Sequence, residues 1–488
     1  MDDLELKEQS FSQMVTRYPQ TNREAAAALI QDAIAKSRRT IIVLDDDPTG
    51  VQTVHGVPVY TSWTEESIDS GFGEAGFDEA GKTPALFFIL TNSRGMTAGE
   101  SAAVHREIGA RIARVGKRKN RDYIIVSRSD STLRGHYPLE TETLKAAVEA
   151  ESGGHFDGEI ICPFFMEGGR FTAENIHYVR SADTMVPAAM TEFAKDKTFG
   201  YSHSDLTQWV EEKTKGAYKK ESVTAIPLQT LRGEGAVQKV CDTLVAVQGF
   251  GKVIVNALDY DDIRVFGAAL YRALDSGKRF MIRSAAAVPK ILGGIPDRPL
   301  LTREELIDSG NPRGGLVVVG SHVQKTSRQL QLLLENPNVA AVEFNTHLVM
   351  DEAAFQTEIR RVQDECNKAL EAGRITAVYT CRTRFDLNTG NPEDELRVSL
   401  KIAAAVTSFV SNLTGKPRFI IAKGGITSSQ IGTEALGVKK ALVLGQVLPG
   451  IPVWLTGPES RFPNTPYVIF PGNVGDEDGL KKIAEMLA

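Results

Sequence analysis

The sequence predicts an α/β protein of two domains, each a mostly parallel sheet flanked by helices, with a ligand cleft between the domains. Two observations lead to this fold class. Short apolar runs rich in β-branched residues alternate with helical patterns along most of the chain, and this alternation is typical of parallel sheets with helical connections. The chain has 488 residues, which is too long for one ordinary domain and long enough to form separate cores.

The first part of the chain alternates predicted strands with predicted helices. Its strands are predicted at Ile41 to Leu44, Ala85 to Leu90, Tyr123 to Val126, Glu159 to Cys162 and Val253 to Asn256. Its helices are predicted at Asn22 to Ser37, Ala98 to Arg114 and Glu140 to Ala150. The run Ile41, Ile42, Val43 fits a strand that is buried on both faces of a parallel sheet.

The second part repeats this alternation. Its strands are predicted at Leu316 to Val319, Ala341 to Phe344, Ile375 to Tyr379, Phe419 to Ala422, Ala441 to Leu444, Pro452 to Leu455 and Tyr467 to Phe470. Its helices are predicted at Ser327 to Leu334, Ala353 to Ala372, Glu393 to Ser411 and Ser428 to Ala435. The stretch Gly293 to Gly315 contains GGIPDRP and SGNPRGG, the Gly/Pro-rich composition of linkers, and predicts domains at residues 1–300 and 301–488.

Composition excludes several classes of function. Lys plus Arg number 56 against 62 Asp plus Glu, and this net charge of −6, without a basic run resembling a nucleic-acid arm, argues against nucleic-acid binding. The cysteines at positions 162, 241, 366 and 381 lack CxxC spacing, and the histidines lack HExxH spacing, so no protein metal site is predicted. The acidic N-terminal stretch and the absence of an apolar run of about 20 residues predict a cytoplasmic protein without membrane contact.

Three aspartates follow the first predicted strand. Asp45, Asp46 and Asp47 lead into a Pro-Thr-Gly turn at the carboxyl end of that strand, where parallel sheets bind ligands. A single acid here would fit a helix cap or a turn equally well. Because three neighbouring carboxylates repel one another, the cluster needs a cation, a positive side chain or a proton, and this favours a functional site.

Arginines and hydroxyl residues follow the neighbouring strands. Arg128 and Arg134 flank Asp130, Ser131 and Thr132 in SRSDSTLRGH, and capping of the next helix is the alternative interpretation for the Asp and Ser/Thr residues. The strand before them leads into TNSRGMT, which adds Arg94. Guanidinium groups bind carboxylates and phosphates with two parallel hydrogen bonds. This mixture of side chains predicts a pocket for a small polyhydroxylated anion.

Glycine-rich turns follow three strands in the second part. The strand at Phe419 to Ala422 runs into KGGITSSQ, and two other strands run into GSHVQKTS and PGNVGDED. Glycines let backbone amides approach an anion closely, and a helix beginning at such a turn adds a favourable dipole. A plain tight turn remains the alternative for each, because none of them is a Walker A or a GxGxxG motif.

Taken together and in this order, DDxTG, DSTLRG, GGxTS and PGNxG resemble the motifs of the four-carbon acid sugar kinases, the family of domain of unknown function 1537. The resemblance spans nearly the whole chain. Arg128 in place of a common Lys, and the continuation DPTGVQTVHGV, place the chain in a divergent branch of this family.

The resemblance implies a sugar-acid-binding first domain and a nucleotide-binding second domain, with ATP and Mg²⁺ as cofactors. It implies substrate contacts at Asp46, Asp47, Thr49, Arg94, Asp130, Ser131 and Arg134. It implies nucleotide contacts at Ser321, Gly424, Gly425, Ile426, Thr427, Gly472, Asn473 and Gly475. Asp47 or Asp46 would accept the proton of the attacking hydroxyl.

The expected function is therefore an ATP-dependent kinase that phosphorylates threonate, erythronate or a 3-oxo-tetronate. Two alternatives stay open: a dinucleotide-dependent sugar-acid enzyme, against which the missing GxGxxG fingerprint argues, and a sensor that binds a small molecule without catalysis. The expected partners are the sugar acid and ATP alone, and the sequence leaves open whether the chain forms a homo-oligomer.

Overall fold

The structure is a computed structural model that describes residues 7–74, 85–383, 385, 392–472 and 474–488. The chain divides into two compact units, Met1–Asp297 and Arg298–Ala488. Each unit contains a mostly parallel sheet flanked by helices, and the predicted α/β fold class is thereby confirmed. Within the described ranges, no helix is both long and apolar enough to cross a lipid bilayer.

The strands of the first unit are β1 (Gln9–Ser10), β2 (Thr40–Asp45), β3 (Val57–Tyr60), β4 (Leu86–Leu90), β5 (Tyr123–Arg128), β6 (Gly158–Cys162), β7 (Arg170–Ala173), β8 (Ile176–Ser181), β9 (Thr184–Pro187), β10 (Thr224–Ile226), β11 (Gly251–Val255) and β12 (Phe280–Ser284). Its helices are α1 (Phe11–Thr16), α2 (Arg23–Ser37), α3 (Glu65–Glu74), α4 (Ala98–Lys119), α5 (Leu139–Ser152), α6 (Leu206–Lys213), α7 (Leu228–Leu231), α8 (Ala236–Ala246), α9 (Tyr260–Asp275) and α10 (Ala287–Leu292).

The main sheet of the first unit has the order β10-β11-β6-β12-β5-β2-β4-β3, with parallel neighbours throughout. Every residue of β2 is buried, as the β-branched run predicts. The chain places β3 and β4 on one side of β2 and β5 on the other, so a topological switch point lies at the carboxyl end of β2. The strand ends align there, because Asp45 pairs with both Leu90 and Arg128.

Several strands of the first unit were not predicted. Strands β7, β8 and β9 form, with β1, a small antiparallel sheet of order β1-β9-β8-β7, and their mixed polar sequences lack a clear apolar run. Strand β12 was missed because Arg283 and Ser284 interrupt its apolar pattern, although all of its residues are buried. In these segments, burial in the folded protein stabilises strands that the local sequence pattern does not indicate.

The strands of the second unit are β13 (Leu316–Val319), β14 (Val339–Phe344), β15 (Ile375–Thr380), β16 (Ile420–Lys423), β17 (Lys440–Leu448), β18 (Ile451–Thr456) and β19 (Pro466–Phe470). Its helices are α11 (Arg303–Leu306), α12 (Gln324–Leu334), α13 (Glu352–Glu371), α14 (Pro392–Ser411), α15 (Gly425–Gln430) and α16 (Gly479–Leu487), with a π-helical turn at Ile431–Ala435 directly after α15.

The parallel part of the second sheet has the order β19-β16-β13-β15-β14, and β18 and β17 continue it in antiparallel fashion from β19. Lys423 at the end of β16 pairs with Val319 of β13 and Phe470 of β19. The exits of these three strands therefore lie side by side. The apolar core of this unit contains Val317, Val319, Leu330, Phe419, Ile421, Val468, Phe470 and Leu480.

Candidate functional site

In the first unit, acidic and arginine side chains from three adjacent strand ends meet in one cluster. We call it the acid–arginine cluster, and its members are Asp45, Asp46, Asp47, Arg94, Arg128, Asp130 and Arg134. The exit of β2 supplies the first three aspartates, the turn after β4 supplies Arg94, and β5 with its following loop supplies the rest. Opposite charges thus offset the repulsion that the aspartate triplet would otherwise produce.

Asp46 anchors this cluster. Its Oδ1 accepts hydrogen bonds from Arg94 (2.6 Å) and Arg128 (3.0 Å), and its Oδ2 accepts from Arg94 Nε (3.0 Å) and the Ser129 hydroxyl (2.9 Å). The residue is buried. A carboxylate that accepts four such bonds has little capacity left for a ligand. Asp46 therefore acts chiefly to hold two guanidinium groups in place.

Asp47 lies beside Asp46 and has a less crowded carboxylate. Its Oδ1 accepts from the backbone N–H and the hydroxyl of Thr49, at 2.9 and 2.6 Å, while its Oδ2 lies 3.5 Å from Arg94. Burial raises the pKa of Asp47, but Arg94, Arg128 and the two hydrogen bonds from Thr49 together outweigh that effect and hold the pKa below its usual value. Asp47 is thus ionised near neutral pH and keeps one oxygen for an additional hydrogen bond.

Asp45 is the most enclosed member of the triplet. Burial raises its pKa to about 7, and the Arg128 guanidinium, 2.9 Å from Oδ1, opposes that rise. A Cβ on Gly50 would lie only 2.1 Å from both carboxylate oxygens. The glycine of the Pro-Thr-Gly turn is thus required because the backbone passes directly over Asp45.

Asp130 and Arg134 extend the cluster along the loop after β5. Arg134 Nε donates to Asp130 Oδ2 at 2.7 Å, and Asp130 Oδ1 lies 3.9 Å from Arg94. Burial raises the pKa of Asp130, but the two arginines lower it by more, so this carboxylate is also ionised. Helix capping by this segment, the alternative interpretation, is wrong: the next helix begins only at Leu139 and Pro138 precedes it.

Ser131 is fixed in this loop through its backbone. Its carbonyl accepts a hydrogen bond of 2.7 Å from His177 Nε2, while His177 Nδ1 lies 3.0 Å from the hydroxyl of Thr172. Burial lowers the pKa of His177 to about 4, so the imidazole is neutral and Nε2 carries its hydrogen. The loop backbone is therefore anchored to the small antiparallel sheet.

Sequence reasoning did not propose Ser129 and Arg283 for this site. Arg283, near the end of β12, is almost fully buried and approaches the hydroxyl of Ser129 (3.5 Å) and the carbonyl of Arg134 (3.3 Å). Its guanidinium also lies over the rings of Tyr137 and Trp209, at 5.0 and 5.1 Å. An arginine inside a short apolar run, FMIRS, was the signal that could have identified it.

In the second unit, the exits of β13, β16 and β19 form a glycine cluster, whose members are Gly320, Ser321, Gly424, Thr427 and Gly472. A Cβ on Gly320 would lie 2.4 Å from Thr427 Oγ1, and one on Gly424 would lie 3.2 Å from Ser321 Cβ. A Cβ on Gly472 would lie 3.4 Å from Ser321 Oγ. Gly424 also has a φ of +119°, which favours glycine. The structure thus brings three separate motifs together.

The other predicted nucleotide contacts are placed as follows. Gly425 begins α15, and Ile426 projects from its first turn with 72% of its surface exposed. Gly475 has a φ of +81° and lies against the Phe470 ring and Gln329. The side chain of Gln329, a residue of α12, holds this loop by hydrogen bonds. Asn473 lies outside the described residues.

Two basic side chains next to the glycine cluster were not among the predicted contacts. Lys423 is fully buried, donates to the carbonyl of Pro471 at 2.5 Å and lies 3.7 Å from the centroid of the Phe470 ring. Burial, with a smaller effect of Lys325, lowers its pKa to about 6. Arg382 donates to the carbonyl of Ser321 at 2.6 Å. Both hold strand exits of the cluster; Arg382 adds positive charge there, whereas its lowered pKa leaves Lys423 largely neutral near pH 7.

Comparisons with known proteins give a family match for each of the two units. Residues 41–292 match the family model described as "Sugar-binding N-terminal domain", and residues 316–480 match the model described as "Nucleotide-binding C-terminal domain". A D-threonate kinase from Bordetella bronchiseptica is 22% identical over 450 residues, which cover 91% of this chain and 96% of that protein.

Two crystal structures share the fold. A Haemophilus influenzae protein of the domain-of-unknown-function 1537 family superposes with a TM-score of 0.59 at 17% identity, over 92% of this chain and 100% of that one. A Salmonella typhimurium LT2 protein superposes with a TM-score of 0.63 at 15% identity, over 90% and 98%.

The two family models together span most of the chain, each on one of its two compact units. The chain belongs to the four-carbon acid sugar kinase family. It is thus a sugar acid kinase at the level of the family.

Proposed function

We propose that this protein transfers the γ-phosphoryl group of ATP to a hydroxyl of a four-carbon sugar acid of the threonate, erythronate or 3-oxo-tetronate type. The observation that carries the proposal is that one chain holds both an acid–arginine cluster and a glycine cluster, each at the carboxyl ends of parallel strands. The full-length similarity to a D-threonate kinase supports the same class of substrate.

The acid–arginine cluster would hold the sugar acid. Arg94 and Arg134 surround it with positive charge, and Thr49, Asp130 and Ser131 offer acceptors and donors to its hydroxyls. Asp46 would keep Arg94 in place, since all of its strong bonds go to protein groups.

Asp47 is the proposed general base. Its Oδ2, which lies 3.5 Å from Arg94, can accept the proton of the attacking hydroxyl, and its lowered pKa keeps it ionised near neutral pH. A strongly basic group is not required, because phosphoryl transfer proceeds largely through positioning and neutralisation of charge.

The glycine cluster would hold the phosphates of ATP. Ser321, the turn Gly424–Thr427 and Gly472 expose backbone close to one another, and a side chain on the glycines would fill that space. Ile426 and Val323, which are 72% and 48% exposed, offer apolar surface beside the cluster for the base. ATP supplies the transferred phosphoryl group when it is bound there.

Mg²⁺ would enter with the nucleotide. Among the described residues, no group of three or more His, Cys, Asp or Glu side chains is placed to hold a metal ion. Mg²⁺ in such enzymes commonly keeps several waters and is bound largely by substrate phosphates, so no protein cage is needed.

A coupled assay of ADP release across four-carbon sugar acids, with mass spectrometry of the acid product, tests the proposal. The expected result is ADP release that depends on one or a few of these acids, with one phosphate gained per ADP formed. Binding of an acid without ADP release would instead indicate a sensor.

A further inference from the structure

Arg170, the first residue of β7, is a charged side chain without an acceptor. Its backbone is fixed by two hydrogen bonds to Phe165, at 2.8 and 3.0 Å. Its guanidinium makes no hydrogen bond or ion pair with any residue that the structure describes, and its Nε is buried. Burial is the main cause of the lowered pKa of Arg170. A half-buried cation in this state is destabilised unless an anion neutralises it.

The other arginines of the same region differ from Arg170 in this respect. Arg94 and Arg128 both bind the carboxylate of Asp46, and Arg134 binds that of Asp130. Arg283 reaches the carbonyl of Arg134. Within the described part of the chain, Arg170 is the arginine of this region whose guanidinium lacks a polar partner.

Arg170 lies next to the acid–arginine cluster. The Phe193 ring connects it to Arg134, since the guanidinium carbons of Arg170 and Arg134 lie 5.5 and 5.1 Å from the ring centroid. Asp130 attracts Arg170 and Arg134 repels it, but the carboxylate of Asp130 is hydrogen-bonded directly to Arg134 and not to Arg170. A second negative charge near this ring would therefore be stabilised mainly by Arg170.

On the basis of the proposed function, we propose that Arg170 binds the carboxylate of the sugar acid. A continuous series of contacts leads from Asp47 through Arg94 and Asp130 to Arg134, and Arg170 lies beyond Arg134. In this arrangement the acid would place its carboxylate at Arg170 and direct its hydroxyls along the acid–arginine cluster, toward Asp47. The planar guanidinium can make two parallel hydrogen bonds to that carboxylate. This orientation makes Arg170 a specificity-determining residue, which selects acids over neutral polyols.

Stacking on Phe193 is the alternative role for Arg170, and a comparison of substrates separates the two roles. We would measure KM and kcat of the wild-type protein, Arg170→Met and Arg170→Lys with the four-carbon acid that the wild type phosphorylates. The inhibition constant of the corresponding four-carbon polyol, which lacks the carboxylate, would be measured in parallel. Arg180→Met is the matched control, because Arg180 also stacks on an aromatic ring, Phe11, but on the exposed end of β8.

We expect Arg170→Met to raise KM for the acid about 10- to 100-fold, the loss typical of a hydrogen bond between charged groups, and to change kcat less. The polyol's inhibition constant should stay the same. Arg170→Lys, which keeps the charge but loses the planar fork, should lie between Met and wild type, and Arg180→Met should match wild type. If Arg170→Met does not fold, Arg170→Lys and the wild-type preference for acid over polyol decide the question.

An unchanged KM for the acid in folded Arg170→Met, an equal loss for acid and polyol, or a wild type that binds both equally well would overturn the assignment while the kinase function stands. Failure of the wild type to phosphorylate any sugar acid would instead overturn the proposed function, and this assignment with it.

Discussion

The three aspartates after β2 are adjacent in sequence and differ sharply in environment. Asp45 is enclosed beneath Gly50 and has a raised pKa, Asp46 is saturated by hydrogen bonds, and Asp47 is ionised with one oxygen available. Sequence reasoning proposed either Asp46 or Asp47 as the base. The surrounding hydrogen bonds, which only the fold reveals, favour Asp47.

Asp47→Asn should reduce kcat by about 100-fold or more, because the amide cannot accept the hydroxyl proton. The amide oxygen can still accept the two bonds from Thr49, so the turn should remain intact. Steady-state kinetics and nucleotide titration measure this effect, and nucleotide affinity should be unchanged. Wild-type kcat in this variant would remove Asp47 from the mechanism.

Asp46→Asn is the informative companion variant. It weakens the anchoring of Arg94 and Arg128, so we expect it to lower both activity and the thermal unfolding midpoint. Asp47→Asn should leave that midpoint close to the wild-type value. Differential scanning calorimetry distinguishes the two, and equal destabilisation by both substitutions would contradict the division of roles described above.

The lowered pKa of Lys423 predicts that the stability of the protein depends on pH. The pKa of Lys423 is lowered to about 6 in the folded protein. Between pH 6 and the ordinary pKa of a lysine, the unfolded chain therefore binds more protons than the folded protein. The free energy of unfolding consequently rises with pH over this range. Lys423→Met removes this pH dependence. The difference in free energy of unfolding between the variant and the wild type should therefore favour the variant more at pH 7 than at pH 10. Urea unfolding at both pH values measures the difference.

The control for this experiment is Lys482→Met, which replaces an exposed lysine paired with Asp478. Its stability relative to wild type should not improve toward pH 7. A pH-independent effect of Lys423→Met would show that the buried amine stays protonated in the folded protein.

The residues of the candidate site lie where strands end. Strands β2, β4, β13, β16 and β19 are buried apolar runs, and their positions were predicted from sequence to within a few residues because burial on both faces leaves a clear apolar signal. The exits that carry Asp47, Arg94, Ser321 and Gly424 were predictable for the same reason. Arg170 and Arg283 belong to strands without such a signal, so their positions depend on tertiary packing.

The turn after β16 should be sensitive to added side-chain volume. We expect Gly424→Ala to weaken nucleotide binding about tenfold or more, because Gly424 has a φ of +119° and its Cβ would press on Ser321. Binding of the sugar acid should be unchanged. Isothermal titration calorimetry with each ligand measures both effects.

Gly437→Ala is the matched control for that substitution. Gly437 also has a positive φ, of +60°, but a Cβ there would meet nothing within 4 Å. Gly437→Ala should lower the free energy of unfolding and leave nucleotide affinity unchanged. Equal losses of nucleotide affinity in both variants would mean that backbone strain, rather than the glycine cluster, is responsible.

At the scale of the whole molecule, the sequence was sufficient to predict an α/β fold class and a family, because ordered motifs separated by long intervals are specific in combination. It was not sufficient to distinguish saturated from available carboxylates at Asp46 and Asp47. That distinction depends on hydrogen bonds to Arg128 and Ser129, which come from a strand end distant in sequence.

The proposal assigns one ligand to each compact unit, so each ligand should stabilise the chain through its own unit. A ligand that binds only the native state raises the unfolding midpoint by an amount that grows with the logarithm of the ratio of its concentration to its Kd. Asp47→Asn and Arg170→Met should leave the shift caused by nucleotide unchanged, and Gly424→Ala should leave the shift caused by the acid unchanged. Thermal unfolding with each ligand separately tests this, and loss of both shifts in any one variant would contradict it.

The proposed phosphorylation of a four-carbon sugar acid by ATP is tested by ADP release from the wild-type protein with single acids, coupled to mass spectrometry of the product. We predict that ADP forms only when a suitable acid is present and that the acid gains one phosphate for each ADP. ATP hydrolysis that is independent of the acid, or no ADP release with any four-carbon sugar acid, would contradict the proposal.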